Sequence, residues 1–141
     1  MVKYKFIKHT ADIKFQAFGK DVAECFKNSA YALKEIITKD KIKPILKKTI
    51  KVSGKDYESL LYSFLEEFLF LIDTKDMIMS QVESIEIEKN KKEIKLSATV
   101  YFDFIKKYKN FTNVKAITYN DMYVLWQEPY KKCELQVVVD V

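Results

Sequence analysis

The chain has 141 residues, 48% of them hydrophobic and 32% charged, with only two glycines and two prolines. This composition excludes a disordered or collagen-like chain, and the length suits one domain whose core needs neither disulfides nor structural zinc. A formal charge of +5 permits contact with RNA or an acidic protein, but the lysines are dispersed rather than gathered into a tail, so charge alone names no partner.

In chain order, Tyr4 and Phe6 alternate with lysines, and Ile13, Phe15 and Ala17 alternate with Lys14 and Gln16. That period of two predicts a pair of half-buried strands. Gly19 permits a turn, and Asp21 with Glu24 three residues on predicts a capping box for a helix carrying Val22, Phe26, Ala30, Leu33 and Ile37. A strand over Thr49 to Ser53 follows. Asp56 opens a second helix with a wide apolar face of Leu60, Leu61, Phe64, Leu65, Phe68, Leu69 and Ile72, which leaves Glu66 and Glu67 to solvent. Val82 to Glu88, a turn through Asn90, and the alternation from Ile94 to Phe102 predict a strand pair. Val114 to Tyr119, Tyr123 to Gln127 and Cys133 to Val139 add three more strands. No internal repeat divides the chain. Strands without regularly interposed helices predict an α+β fold, a single domain over residues 1–141, with largely antiparallel sheet or sheets packed against two main α-helices.

The longest apolar run, Phe68 to Ile72, is far below the ~20 residues of a membrane span. Met-Val-Lys-Tyr-Lys at the start carries no apolar leader, so the expectation is a soluble, cytoplasmic protein without a membrane partner. Cys25 and Cys133 sit in apolar patterns and read as free core thiols. His9 is the sole histidine, which leaves little material for a Ser-His-Asp or Cys-His arrangement or a conventional zinc site, and no phosphate loop is present. Carboxylates remain: Asp12 stands at a strand entry and Asp140 one residue before Val141. Should the first and last strands be neighbours, their oxygens suit a hard cation such as Ca²⁺ or Mg²⁺; otherwise Asp12 is a turn former and Asp140 a solvated terminal residue.

The segments HTADIKFQAFGK at 9–20, DYESLLYSFLEEFLFL at 56–71, VKAITYNDM at 114–122 and the closing VVVDV together resemble the archease family. The resemblance implies an accessory protein, not itself an enzyme, for the RtcB-type tRNA-splicing RNA ligase, which joins ends carrying a terminal or cyclic phosphate to a five-prime hydroxyl. It further implies that such a protein promotes guanylylation and multiple turnover of the ligase, broadens its nucleotide use, and meets tRNA through the ligase. Carried onto this chain, the family's divalent-metal site falls on Asp12, Asp140 and an oxygen of Val141, with calcium the first ion expected. Lys115, in VKAITY, is a candidate for activation, and His9 a candidate partner orienting Asp12; each is otherwise an ordinary surface residue. Two departures stand out, since many relatives have Gly in place of Lys14 and His in place of Asn120. A general chaperone or folding modulator is the alternative, and a self-contained metal-dependent hydrolase a third reading.

Overall fold

The computed structural model describes residues 2–7 and 12–141; His9 lies outside the described residues. The strands are β1 (Tyr4–Ile7), β2 (Ile13–Gly19), β3 (Leu46–Gly54), β4 (Met77–Lys89), β5 (Ile94–Phe104), β6 (Ala116–Gln127) and β7 (Lys132–Asp140); the helices are α1 (Val22–Ile37) and α2 (Tyr57–Lys75). The fold is α+β as predicted. A four-stranded sheet has the order β1-β2-β7-β6 and a three-stranded sheet the order β3-β5-β4, and every pairing is antiparallel.

Both helices touch strands of both sheets, so their apolar faces and the inner faces of the sheets share one core. Its centre is a run of rings: Phe26 of α1 stacks on Phe64 of α2 at 6.0 Å, Phe64 meets Phe68 edge-on at 5.1 Å, and Phe68 approaches Phe102 of β5 at 6.3 Å. Glu66 is exposed and Glu67 half-buried, which agrees with the polar side assigned to α2. Cys25 and Cys133 are both buried and free. Contact with Cys133, together with burial, pushes the Cys25 thiol far above its ordinary range, so neither geometry nor ionisation offers a nucleophile there.

Each helix starts from the same local device. The chain's two glycines end β2 and β3 and are each followed by Lys-Asp, giving Gly19-Lys20-Asp21 and Gly54-Lys55-Asp56. The Asp21 carboxylate accepts from the Glu24 N–H and the Asp56 carboxylate from the Ser59 N–H, both at 2.8 Å. At α1 the return arm misses the cap's own N–H, since Glu24 accepts from the Lys20 N–H at 2.9 Å; at α2 the Ser59 hydroxyl accepts from the Asp56 N–H at 3.2 Å, which completes a capping box, and also from the Lys55 N–H at 3.0 Å. No repeat divides the chain, yet one local unit recurs. A strand–Gly–Lys–Asp–helix unit occurs twice, hidden because it shares only three residues and the flanking apolar positions differ.

β6 departs from the predicted elements. Two strands were predicted where one runs, because four residues, 119–122, stand between Thr118, opposite Val138, and Tyr123, opposite Gln136, leaving only Val137 between the partners. Asp121 adopts the left-handed conformation there, φ 55°, which Asp tolerates better than most residues. The connection from β5 to β6 is anchored by Asp103, which is fully buried. Its carboxylate accepts from the Tyr108 hydroxyl at 2.7 Å, the Phe104 N–H at 2.8 Å and the Lys107 ammonium at 2.9 Å. Burial alone would push that carboxyl up; the three donors together outweigh it and hold it below the ordinary range.

Neither glycine has a positive φ, so the requirement is space. A Cβ on Gly19 would stand 2.5 Å from the Cys25 nitrogen, and one on Gly54 2.6 Å from the Leu60 nitrogen. Gly19→Ala and Gly54→Ala are each expected to lose about 1–3 kcal/mol of unfolding free energy in urea titrations, the usual range for overpacking against atoms that cannot yield. An exposed Ser53→Ala, next to one of them, should change stability by under ~0.5 kcal/mol.

Candidate metal and activation site

Three strand termini meet at one end of the four-stranded sheet. β2 begins with Ile13 paired to Val139, and β6 begins with Ala116 paired to Asp140. Asp12 lies in the bend immediately before Ile13, and Asp140 immediately follows Val139 on the paired strand. The alternation along β2 turns Phe15 and Ala17 inward with Ile13, and along β7 it turns Leu135, Val137 and Val139 inward. Asp140 therefore belongs to the outer face, and Asp12 stands at the entry to the neighbouring strand. The sequence separates these two carboxylates by almost the whole chain; antiparallel pairing of β2 with β7 brings them to one place.

Lys115 joins them through its backbone. Its N–H donates to the Asp140 carbonyl at 2.8 Å, and its side chain is exposed. Val141 is half-buried and packs against the core, which fixes the chain immediately after Asp140. Among the described residues, Asp12 and Asp140 form no ion pair. The ammonium of Lys14, two residues along, goes to Asp121 at 3.3 Å instead. No cluster of three or more His, Cys, Asp or Glu side chains occurs among the described residues. The donors gathered here are two carboxylates and main-chain oxygens, an all-oxygen set suited to Ca²⁺ or Mg²⁺ rather than to a thiolate- or imidazole-seeking metal.

The outer face beside this end carries a polar network that sequence reading did not single out. Gln16 donates to Gln136 at 3.0 Å and to the Tyr123 hydroxyl at 3.1 Å. Tyr123 in turn donates to Glu134, and Gln136 donates to the Asp121 carbonyl at 2.8 Å. The network bridges β2, β7, the irregularity in β6 and the residue that follows it. Lys14, one departure from the family pattern, sits within regular β2 and is paired to Asp121, so the strand accommodates it. Asn120, the other, is exposed within the 119–122 irregularity. Its neighbour Tyr119 stacks on Tyr62 of α2 at 4.4 Å yet stays 55% exposed. Alternation of apolar residues could not have found these contacts, since each lies on the polar face.

A family profile described as the archease protein family matches residues 4–141. Protein archease of Pyrococcus abyssi is 36% identical over 127 residues, covering 88% of this chain and 89% of the relative. Protein archease of Methanosarcina mazei is 34% identical over 142 residues, covering 99% and 96%. The solution structure of Methanobacterium thermoautotrophicum protein 1598 superposes with a TM-score of 0.82 at 26% identity, over 99% of each chain.

Burial first, and then the hydrogen bond to Glu134, raise the Tyr123 pKa to about 12 from 10.0. A raised value means that the phenol proton is held more tightly in the folded state, so its contribution is complete below pH 10 and disappears as pH rises through the folded value. Spectrophotometric titration should therefore find a late-ionising tyrosine that Tyr123→Phe removes, and the variant's stability should fall less steeply than the parent's above pH 10.

Proposed function

The chain belongs to the archease family, and on that premise we propose that it activates a tRNA-splicing RNA ligase, promoting guanylylation and repeated turnover of the enzyme rather than joining RNA itself. Family membership supports a protein-cofactor role and a protein partner; the ligase as that partner, the cytoplasm as the setting, and meeting tRNA through the ligase are our reading. No described helix is long and apolar enough to cross a membrane.

The observation that carries the proposal is the convergence of Asp12, Asp140 and Lys115 at one end of the β2-β7-β6 ladder. Asp12 and Asp140, with a main-chain oxygen of Val141, would hold a divalent cation, calcium first. When bound, that cation supplies positive charge to offset two neighbouring carboxylates and to attract phosphate oxygens. The protein's own groups do the rest. The Lys115 N–H holds the Asp140 carbonyl and so fixes the strand from which the second carboxylate projects. The exposed Lys115 ammonium is a mobile point charge for a nucleotide phosphate. His9, three residues before Asp12, is assigned the orienting of that carboxylate.

The test is RNA ligation by limiting ligase with and without this protein. Native protein should raise the number of turnovers, while Asp12→Ala and Asp140→Ala should each reduce that stimulation by at least about tenfold and abolish calcium uptake in calorimetry. Lys115→Ala should reduce stimulation while leaving calcium uptake intact. Full stimulation by both aspartate variants would refute the site. No stimulation by the native protein would refute ligase activation and leave a general chaperone as the better reading.

A further inference from the structure

A cleft of about 720 Å³, lined by neither Asp12 nor Asp140, opens along α1 between that helix and the β1 segment. Its walls hold four lysines, Lys3, Lys27, Lys34 and Lys39, and two glutamates, Glu24 and Glu35. Both glutamates are engaged within the chain. Glu35 accepts from the Tyr4 hydroxyl at 2.9 Å and Glu24 from the Lys20 N–H at 2.9 Å. None of the four lysines takes part in an ion pair among the described residues. Lys34 is half-buried, and its ammonium has the Asp40 carbonyl at 3.4 Å; burial lowers its pKa despite Glu35 and Asp40 nearby. A cation in that condition gains from an incoming anion.

The rest of the cleft is already built. The Tyr31 hydroxyl accepts from the Val82 N–H at 3.0 Å, which ties the ring to β4, and Asn28 donates to the Phe18 carbonyl at 2.6 Å. Lys27 and Lys34 are seven residues apart on α1, hence on one side of the helix and separated by ~10.5 Å of rise. This row suits a ligand with repeated negative charges rather than a single ion. Two facts favour phosphates over the carboxylates of an acidic protein. The cations are all lysine, a residue depleted at protein–protein interfaces but common against nucleic-acid backbones. Tyr4 and Tyr31 also stand among them, the combination of charge and rings found in grooves that hold single strands.

We propose that the α1 cleft binds the phosphate backbone of single-stranded RNA without regard to sequence, so that this protein contacts RNA directly as well as through any partner. The cleft ends at Thr38 and Lys39, just beyond Ile37, whose carbonyl accepts from the Thr112 N–H at 2.8 Å. Residue 112 lies on the connection leading to Lys115, so a strand in the cleft is directed toward the end of the sheet that carries Asp12 and Asp140.

The test needs no ligase and is therefore independent of the proposed function. A short fluorescent oligouridylate is titrated with the full chain by anisotropy across a salt series. Binding should weaken linearly on a log–log plot, and the Lys27→Ala, Lys39→Ala double variant should reduce the slope by about 1.4, at ~0.7 for each single-strand phosphate contact. The Lys48→Ala, Lys51→Ala pair, both exposed on β3 and outside the cleft, should leave the slope as in the parent. Circular dichroism of all variants should match the parent. Absence of binding, or an equal loss with the β3 pair, would overturn the cleft as the site. Displacement of the RNA by an equally tight polyglutamate peptide would overturn RNA as the occupant in favour of an acidic protein.

Discussion

The architecture depends on how closely two helices are allowed to leave their strands. At Gly19 and Gly54 the backbone of the following helix passes where a side chain would begin. An L residue there would push the first turn outward and, with it, every apolar position of α1 or α2. The Phe26–Phe64 contact joins one helix to the other, so an error at either corner spreads to both sheets. A chain with so few glycines has spent them where contact distance, rather than backbone freedom, leaves no substitute.

The same corners set the direction of α1. Leaving β2 at Gly19 and folding back, α1 returns to the end of the sheet where β2 began, and its last turn meets the connection that precedes β6. Asp103 holds the start of that connection through Tyr108 and Lys107, and Tyr108 reaches Lys43, whose N–H it accepts at 3.0 Å. The strand-end groups are thus supported by ordinary hydrogen bonds from several elements. Precision of this kind comes from packing and pairing, and the polar network on the outer face adds to it across three strands.

Much of the architecture was legible in the sequence because it rests on periodicity. The alternation of Ile94 to Phe102 and the helical spacing of Leu60 to Ile72 each have one good solution, and the structure adopts both. The site was half legible. Asp12 and Asp140 are visible as carboxylates near strand ends, but their juxtaposition is a matter of sheet order, which periodicity does not encode. The repeated Gly-Lys-Asp corner escaped notice because its meaning lies in a distance to residues six positions on. The Tyr62–Tyr119 stack and the Gln16–Tyr123–Gln136 links were illegible for a plainer reason: polar and exposed positions obey no period that marks their partners.

The irregularity in β6 also inverts the strand's phase. Before it, Thr118 faces Val138 and even-numbered residues share the outer face; after it, Tyr123 faces Gln136 and odd-numbered residues do. Because three extra residues are accommodated, an odd number, the strand turns over while its backbone stays in the sheet. The segment behaves as a parity switch for whatever flanks it. A change of two residues in its length would retain the facing of both halves, whereas a change of one would turn either the Tyr123 side or the Ala116 side through the sheet. Length in this stretch is consequently a coded quantity, counted in pairs.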